Sequence, residues 1–370
     1  MRQQKGSILI VVILVAALIS LLAVQIYSRL ALDSRRTLNI LDTDRAYYYA
    51  LGAEELAVQI LKTSLTPKRG KKDNKSVNLG QEWAKKGMVF PIEGGQLAGE
   101  IRDMSACFNV NSILSSKQST IGDKKSPLPS SRERPAAREA SSLTLSPDKA
   151  LKGQKLLEVL FTQLLPSEEI TPKAMAARIR DWIDSDSQPF GADGAEDDAY
   201  LQLKRPYRTG NTLMGSVEEL RTLLGFTAQM VETMAPYLCA LPDSDMNTLN
   251  LNTIPVNQPE LLMMLYEDLS LDKAKEILQS RPTSGYDDAT FKEKLGTGIK
   301  LRKEAKGIPD FGSDRFLINA EAIVGRGHAR LQSLVQRGKK GDFSVIARRF
   351  ASDFAKPDEP TEPETGTIKK

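Results

Sequence analysis

Cysteine and histidine are nearly absent from this 370-residue chain: Cys107, Cys239 and His328 are all there is. Three such residues are too few for a zinc centre of the Cys and His type. A triad would have to use His328, which reads as an exposed turn residue between two strands, with no Ser-containing nucleophile elbow near it. No convergent set of acid, base and nucleophile is readable, so an enzyme is not expected. Aromatic residues are only 6%, which disfavours a base-stacking platform. The net charge of +4 is small and its basic residues are scattered, so no nucleic acid partner is expected.

What is present begins with one long apolar run. Ile8 to Val24 is interrupted only by Ser20. At about 1.5 Å per residue it forms a helix roughly 25 Å long, enough with its flanks to span a bilayer core. Arg2 and Lys5 precede it and should stay cytoplasmic, which sends the rest of the chain to the periplasm. A cleaved secretory signal needs small residues after the run, and none form an A-x-A-like site before Tyr27 and Arg29. A plain single-pass anchor is the simpler alternative. In the third reading, a short basic peptide ending in Gly6 is followed directly by Ser7, Ile8, Leu9, Ile10 and Val11. That junction resembles the type IV prepilin signal, which implies cleavage after Gly6 and an N-methylated Ser7. Beyond Asp33 the helical pattern continues on Leu38, Leu41, Tyr48, Gly52, Leu56 and Ile60, with Arg45 departing from the stripe.

Residues 67–76 form a basic loop that ends this helix. Met88 to Ile92, the turn at Gly94 and Gly95, and Gln96 to Arg102 read as a hairpin, with Leu97 and Ile101 on one face and Pro91 demoting the first strand to an edge. Cys107 to Leu114 closes the block, and residues 115–146 lack periodicity and read as a disordered linker. Helical punctuation follows. Ser146 before Pro147 and Thr171 before Pro172 open helices over 147–164 and 172–183; Ser216 with Glu219 forms a capping box, and Asn257 with Glu260 has the same spacing. Further helices are expected near 216–225, 228–237, 257–267, 271–280 and 287–295. After Pro309 the period returns to two, giving strands over 315–324, 329–337 and 342–350, which should join the early hairpin in one sheet. A Pro- and acid-rich tail ends the chain.

Ser216 to Tyr237 and Leu249 to Arg281 resemble tandem helix-hairpin-helix repeats, which suggests a membrane-anchored DNA-uptake protein as the alternative function. Against it, the second hairpin carries Glu267 and Asp268 where glycines should face phosphate, and the first keeps only Gly225.

The densest carboxylate stretch runs from Asp181 to Asp198. Pro189 and Ala195 occupy positions where an EF-hand needs Gly and Glu, so it is not one. The residues alone fit two readings equally: a calcium loop, or a solvated acidic loop partly neutralised by Arg178, Arg180 and Arg205. Cys107 and Cys239, each the other's one possible partner in the chain and both expected in the periplasm, predict a disulfide; two separately buried thiols are the alternative.

The segment from Arg45 through Tyr47, Tyr48, Tyr49, Gly52, Glu54 and Glu55 to Ala57, with Asp181, Trp182, Ile183 and Asp184, Gly194 to Asp198, and Pro206 to Arg208, is similar to the general secretion pathway protein K family, the large minor pseudopilins of type II secretion. The resemblance covers nearly the whole chain, from Arg2 to about Phe350. It implies an α+β, type IV pilin-like fold with a large inserted all-α domain: leader 1–6, spine 7–62, sheet parts 63–114 and 307–353, linker 115–146, helical insert 147–306 and tail 354–370. It implies calcium in the insert, with Asp184, Asp186, Glu196, Asp197 and Asp198 as ligands. The implied partners are other minor pseudopilins at a pseudopilus tip, the major pseudopilin, the prepilin peptidase and the inner-membrane assembly platform. Major subunits of such filaments carry Glu at the fifth position after the cleavage site; here that position is Val11, which suits the end of a filament.

Overall fold

A computed structural model describes residues 7–66, 76–114, 151–165, 170–244, 248–338 and 341–350. The leader with Gly6, the linker, the tail, the capping pair at Ser146 and Pro147 and nearly all of the basic loop lie outside them. Helix α1 (Ser7–Leu65) runs unbroken for 59 residues. Its N-terminal half is long and apolar enough to cross a membrane, and none of its most apolar 18-residue window is buried among the described residues.

The C-terminal half of α1 lies on a five-stranded antiparallel sheet of β1 (Met88–Ile92), β2 (Gly95–Asp103), β3 (Arg315–Val324), β4 (Gly327–Arg337) and β5 (Phe343–Phe350), in that spatial order. The early hairpin and the late strands therefore share one sheet through the β2–β3 pair, in which Asp103 faces Phe316 and Gly95 faces Val324. β1 is an edge strand, where Pro91 costs no ladder bond. The β3–β4 turn falls at Gly325 and Arg326, so His328 lies in β4 rather than in the turn.

α1 meets the sheet with small side chains, not with the large ones that dominate its sequence pattern. Ala46, Ala50, Ala53 and Ala57 are buried, followed by Val58, Leu61 and Leu65. Leu38, Leu41 and Tyr48 are 49–70% exposed and Gly52 is exposed, while Leu56 and half-buried Ile60 line a cavity against Phe90, Leu97 and Ile101, so the expected apolar stripe meets the sheet only at its C-terminal end and on the flank of the alanine face. Alanines opposite Ala320 and Ala322 let helix and sheet approach closely. At the Asp42 level the contact is closer still: the Arg326 amide donates to Asp42 Oδ2 at 3.2 Å, and a Cβ at Gly327 would sit 2.2 Å from the Asp42 carbonyl carbon.

The sheet is interrupted after β2 by a block of short helices: α2 (Lys152–Leu164), α3 (Pro172–Ile183), α4 (Asp197–Leu201), α5 (Ala228–Met234), α6 (Glu260–Leu265), α7 (Leu271–Gln279) and α8 (Asp288–Leu295). Several boundaries differ from expectation. α2 begins only at Lys152, because Leu151 is extended. The capping box at Ser216 is present but opens a 3₁₀ turn, Val217–Thr222. α6 is preceded by Pro259 rather than capped by Asn257. Phe108, Val110 and Ile113 are buried in the same core as Leu157, Phe161 and Ile179, so the segment expected to close the sheet domain at residue 114 packs with the helices.

Block and sheet join at one end of the sheet, level with Leu61 and Leu65 and farthest from the apolar half of α1. Cys107 and Cys239 are disulfide-bonded there, against Leu317 and Leu334 on the outer face of the sheet. Arg315 pairs with Asp243 at 2.8 Å. Buried Asp103 accepts from Ser313, Thr253, Asn250 and the Ser105 amide; burial pushes its carboxyl above the ordinary range and those donors only partly offset it.

Candidate metal centre

The acidic stretch begins on α3. Thr171 Oγ1 accepts the Ala174 amide at 3.2 Å and Pro172 takes the first helical position, so the helix starts where its sequence signals say. Met175, Ile179, Trp182 and Ile183 bury its inner face, and Asp184 ends it in an extended conformation. A loop then carries the chain away and back, and Glu196 stands before α4.

This return brings Asp184, Asp186 and Glu196 together, with one oxygen of each within 4.8 Å of the others. Asp184 is 6% and Glu196 3% exposed, and Asp186 closes the group from the solvent side. Two of their oxygens, Asp184 Oδ1 and Glu196 Oε1, are buried without a hydrogen-bond donor. Arg180 Nε lies 3.6 Å from Asp184 Oδ2, and its guanidinium stacks on Phe190 at 4.0 Å. Burial, then the neighbouring carboxylates Asp186 and Asp181, push the Asp184 carboxyl up to about 7. Burial, then Asp181, Asp184 and Asp186, push Glu196 up to about 8. Asp184 also sits at the C-terminus of α3, where the helix dipole favours cations over anions. Buried oxygens lacking donors, mutual repulsion and an adverse dipole are all relieved by a hard cation with oxygen ligands, so these three residues fit calcium.

The other two expected ligands are not in this group. Asp197 turns to Thr209, whose amide and hydroxyl reach Oδ1 at 3.0 and 2.9 Å; those bonds, with Arg208, hold its carboxyl below the ordinary range. Asp198 is exposed on the first turn of α4. Two residues not proposed as ligands stand at the site. Thr209 Oγ1 lies 3.4 Å from Glu196 Oε2, and Asp181 is fully buried beneath the loop. Nothing in the pattern marked Thr209. Asp181 carried a signal: an acidic side chain in the last turn of a helix otherwise buried on that face.

The helix-hairpin-helix turns offer no phosphate cradle. Gly225 has φ 80°, but the space a Cβ would take is filled by Arg178 and Ile170, and Arg178 Nη1 donates to the Leu224 carbonyl at 2.6 Å. In the second turn Tyr266 and Glu267 pair with Leu301 and Lys300.

Residues 106–243 match a family model described as type II secretion system (T2SS), protein K, and residues 249–306 match a second model with that description. The chain is 35% identical over 357 residues to type II secretion system protein K of Aeromonas hydrophila, covering 94% of this chain and 97% of that one. It is 32% identical over 353 residues to the protein of that name from Pectobacterium carotovorum subsp. carotovorum, with the same coverage. Among solved structures it is similar to a chain of the GspK-GspI-GspJ complex from the enterotoxigenic Escherichia coli type 2 secretion system, with TM-score 0.67, 25% identity, and 86% of this chain and 100% of that chain covered.

Proposed function

The chain belongs to the type II secretion system protein K family, whose members are minor pseudopilins, and from that membership we propose that it stands at the tip of the periplasmic pseudopilus and helps to start its assembly. One observation carries the tip position. The helical block is fixed to the sheet at the level of Leu61 and Leu65, at the end of α1 opposite the apolar half that fits a membrane anchor. A block of that size at the far end of the spine leaves no room for another pilin-type subunit stacked above it. The solved relative is a complex with GspI and GspJ, which supports two other minor pseudopilins as the partners just below. The major pseudopilin and the inner-membrane assembly platform follow in the same scheme. So does processing by the prepilin peptidase after Gly6, with methylation of Ser7.

Calcium belongs to this proposal, held by Asp184, Asp186 and Glu196. When bound it supplies the positive charge that lets the two buried carboxylates ionise side by side. Gold-labelled antibody against the helical block, applied to sheared pseudopili, tests the position. Label at one end only is expected; label at regular intervals along the shaft would overturn the tip assignment.

A further inference from the structure

Asp181 lies three residues before Asp184 on α3, so its side chain shares that face of the helix and points beneath the loop. It is 0% exposed. Both carboxylate oxygens accept the Phe190 amide, at 3.0 and 3.1 Å, and Oδ2 also accepts the Ala195 amide at 2.7 Å. These two amides stand on the outgoing and returning limbs of the loop, and Ala195 directly precedes Glu196. One carboxylate therefore ties both limbs to the end of α3 and sets where Glu196 enters. The closeness of the tie fixes residue 194 as well: a Cβ at Gly194 would lie 2.2 Å from Asp181 Oδ2 and 2.5 Å from the Phe190 nitrogen. By contrast, the oxygens left without donors belong to Asp184 and Glu196.

We propose that Asp181 is a positioning residue for this centre: its carboxylate is spent on the loop backbone, preorganises Asp184, Asp186 and Glu196, and does not ligate the ion. The ligand half of this statement rests on the calcium reading above; the loop half does not. Asp181→Asn replaces one acceptor with a donor that faces backbone N–H groups, leaving the three ligands intact. Groups that orient metal ligands are worth about 10–100-fold in affinity.

The test uses the full-length chain in detergent, as wild type, Asp181→Asn, Gly194→Ala and Asp184→Asn. Calcium affinity is measured by calorimetry, coordinated waters by europium luminescence lifetime, and exchange at the Phe190 and Ala195 amides by hydrogen–deuterium exchange. Asp181→Asn is expected to weaken calcium binding by about tenfold or more, keep the wild-type number of europium-bound waters, and speed exchange at both amides. Asp184→Asn should weaken binding and add bound water while both amides stay protected. Extra bound water in Asp181→Asn, or calcium affinity and amide exchange both unchanged, would overturn the proposal. Should Asp181→Asn fail to fold, Gly194→Ala, which displaces the carboxylate without removing it, decides by the same readouts. If the wild type binds neither ion, the calcium reading fails by itself, and amide exchange in the variants still shows whether Asp181 organises the loop.

Discussion

Single side chains in this molecule matter most where charge is buried. Asp181, Asp184 and Glu196 keep their protons to about pH 6, 7 and 8, against ordinary values of 3.8, 3.8 and 4.5, with burial the largest cause in each case. Without calcium these three groups thus bind more protons in the folded chain than in the unfolded one over this range, so the stability they contribute falls as pH rises from about 4 to about 8. Calcium binds the deprotonated form and reverses the sign. In chelator, the thermal midpoint should drop between about pH 5 and about pH 8; millimolar calcium should abolish that drop and raise the midpoint most at the upper end. Scanning calorimetry at a series of pH values checks it, and identical curves with calcium and chelator would count against the site. Glu54 poses the same problem with a different solution. Burial raises its carboxyl, but bonds from Arg348 at 2.6 and 2.9 Å and from Ser333, with the Arg348 charge, hold it below the ordinary range. Arg348→Ala leaves a buried carboxylate unpaired and should cost about 3 kcal/mol, the low end for such pairs because the guanidinium is partly exposed. Adding Glu54→Gln should recover part of that loss in denaturant titrations, which a purely packing role for Arg348 would not allow.

At the scale of elements, α1 has two faces with opposite jobs. The alanine face packs on the sheet, so enlarging it forces helix and sheet apart: Ala50→Leu should cost about 1–3 kcal/mol. Leu41→Ala, on the exposed face, should change stability by less than about 0.5 kcal/mol. Urea unfolding of both variants separates the faces, and equal effects would contradict the division. This contrast explains what was legible beforehand. The length of α1, the hairpin, the return of strands after Pro309 and the cap at Thr171 were readable because long runs, period-two alternation and capping residues are local signals. The packed face of α1 was not, since alanine contributes little to a hydropathy pattern and the larger side chains of Leu38, Leu41 and Tyr48, exposed outside that face, dominate it. Asn257 failed as a cap because it lies inside the turn closed by the Gln258 amide on the Pro255 carbonyl, and the helix begins only after Pro259. Phe108 to Ile113 and Leu249 to Ile254 share one pattern, an apolar residue, Asn, an apolar residue, Asn, Ser or Thr, and Ile. In both, the first Asn accepts the amide of the second, and the second grips the backbone of a remote segment, at Met214 and Leu241 or at Tyr286. The acidic group was legible only in part, because composition does not tell which carboxylates a loop brings together and which, like Asp197, it gives to a neighbouring hydroxyl.

For the whole molecule, the question is why one end of the spine is left bare while the other is covered. From Leu9 to Val24 the large side chains of α1 are 47–68% exposed, and the exposure continues through Leu38, Leu41 and Tyr48. A surface of this kind is covered either by lipid or by neighbouring helices, and the tip position proposed above would need both in turn. In a stack of such helices each cleaved N-terminus brings a positive charge into an apolar bundle, and an uncompensated buried charge is costly. Val11, 59% exposed on this bare segment, offers no carboxylate to a neighbour's amine. A subunit at the tip has no neighbour above it and needs none, so the absence of an acid there and the helical block at the far end of the spine both fit one position. Val11→Glu adds an acceptor where nothing uses it. It should be tolerated for folding and membrane insertion and, on the proposal above that the block obstructs stacking, should not move the protein into the shaft. Deleting the chain should instead impair pseudopilus assembly and secretion. Secretion assays and antibody labelling of cells carrying Val11→Glu check the argument: label spreading along the shaft would mean that the missing carboxylate, and not the block, holds this subunit at the end.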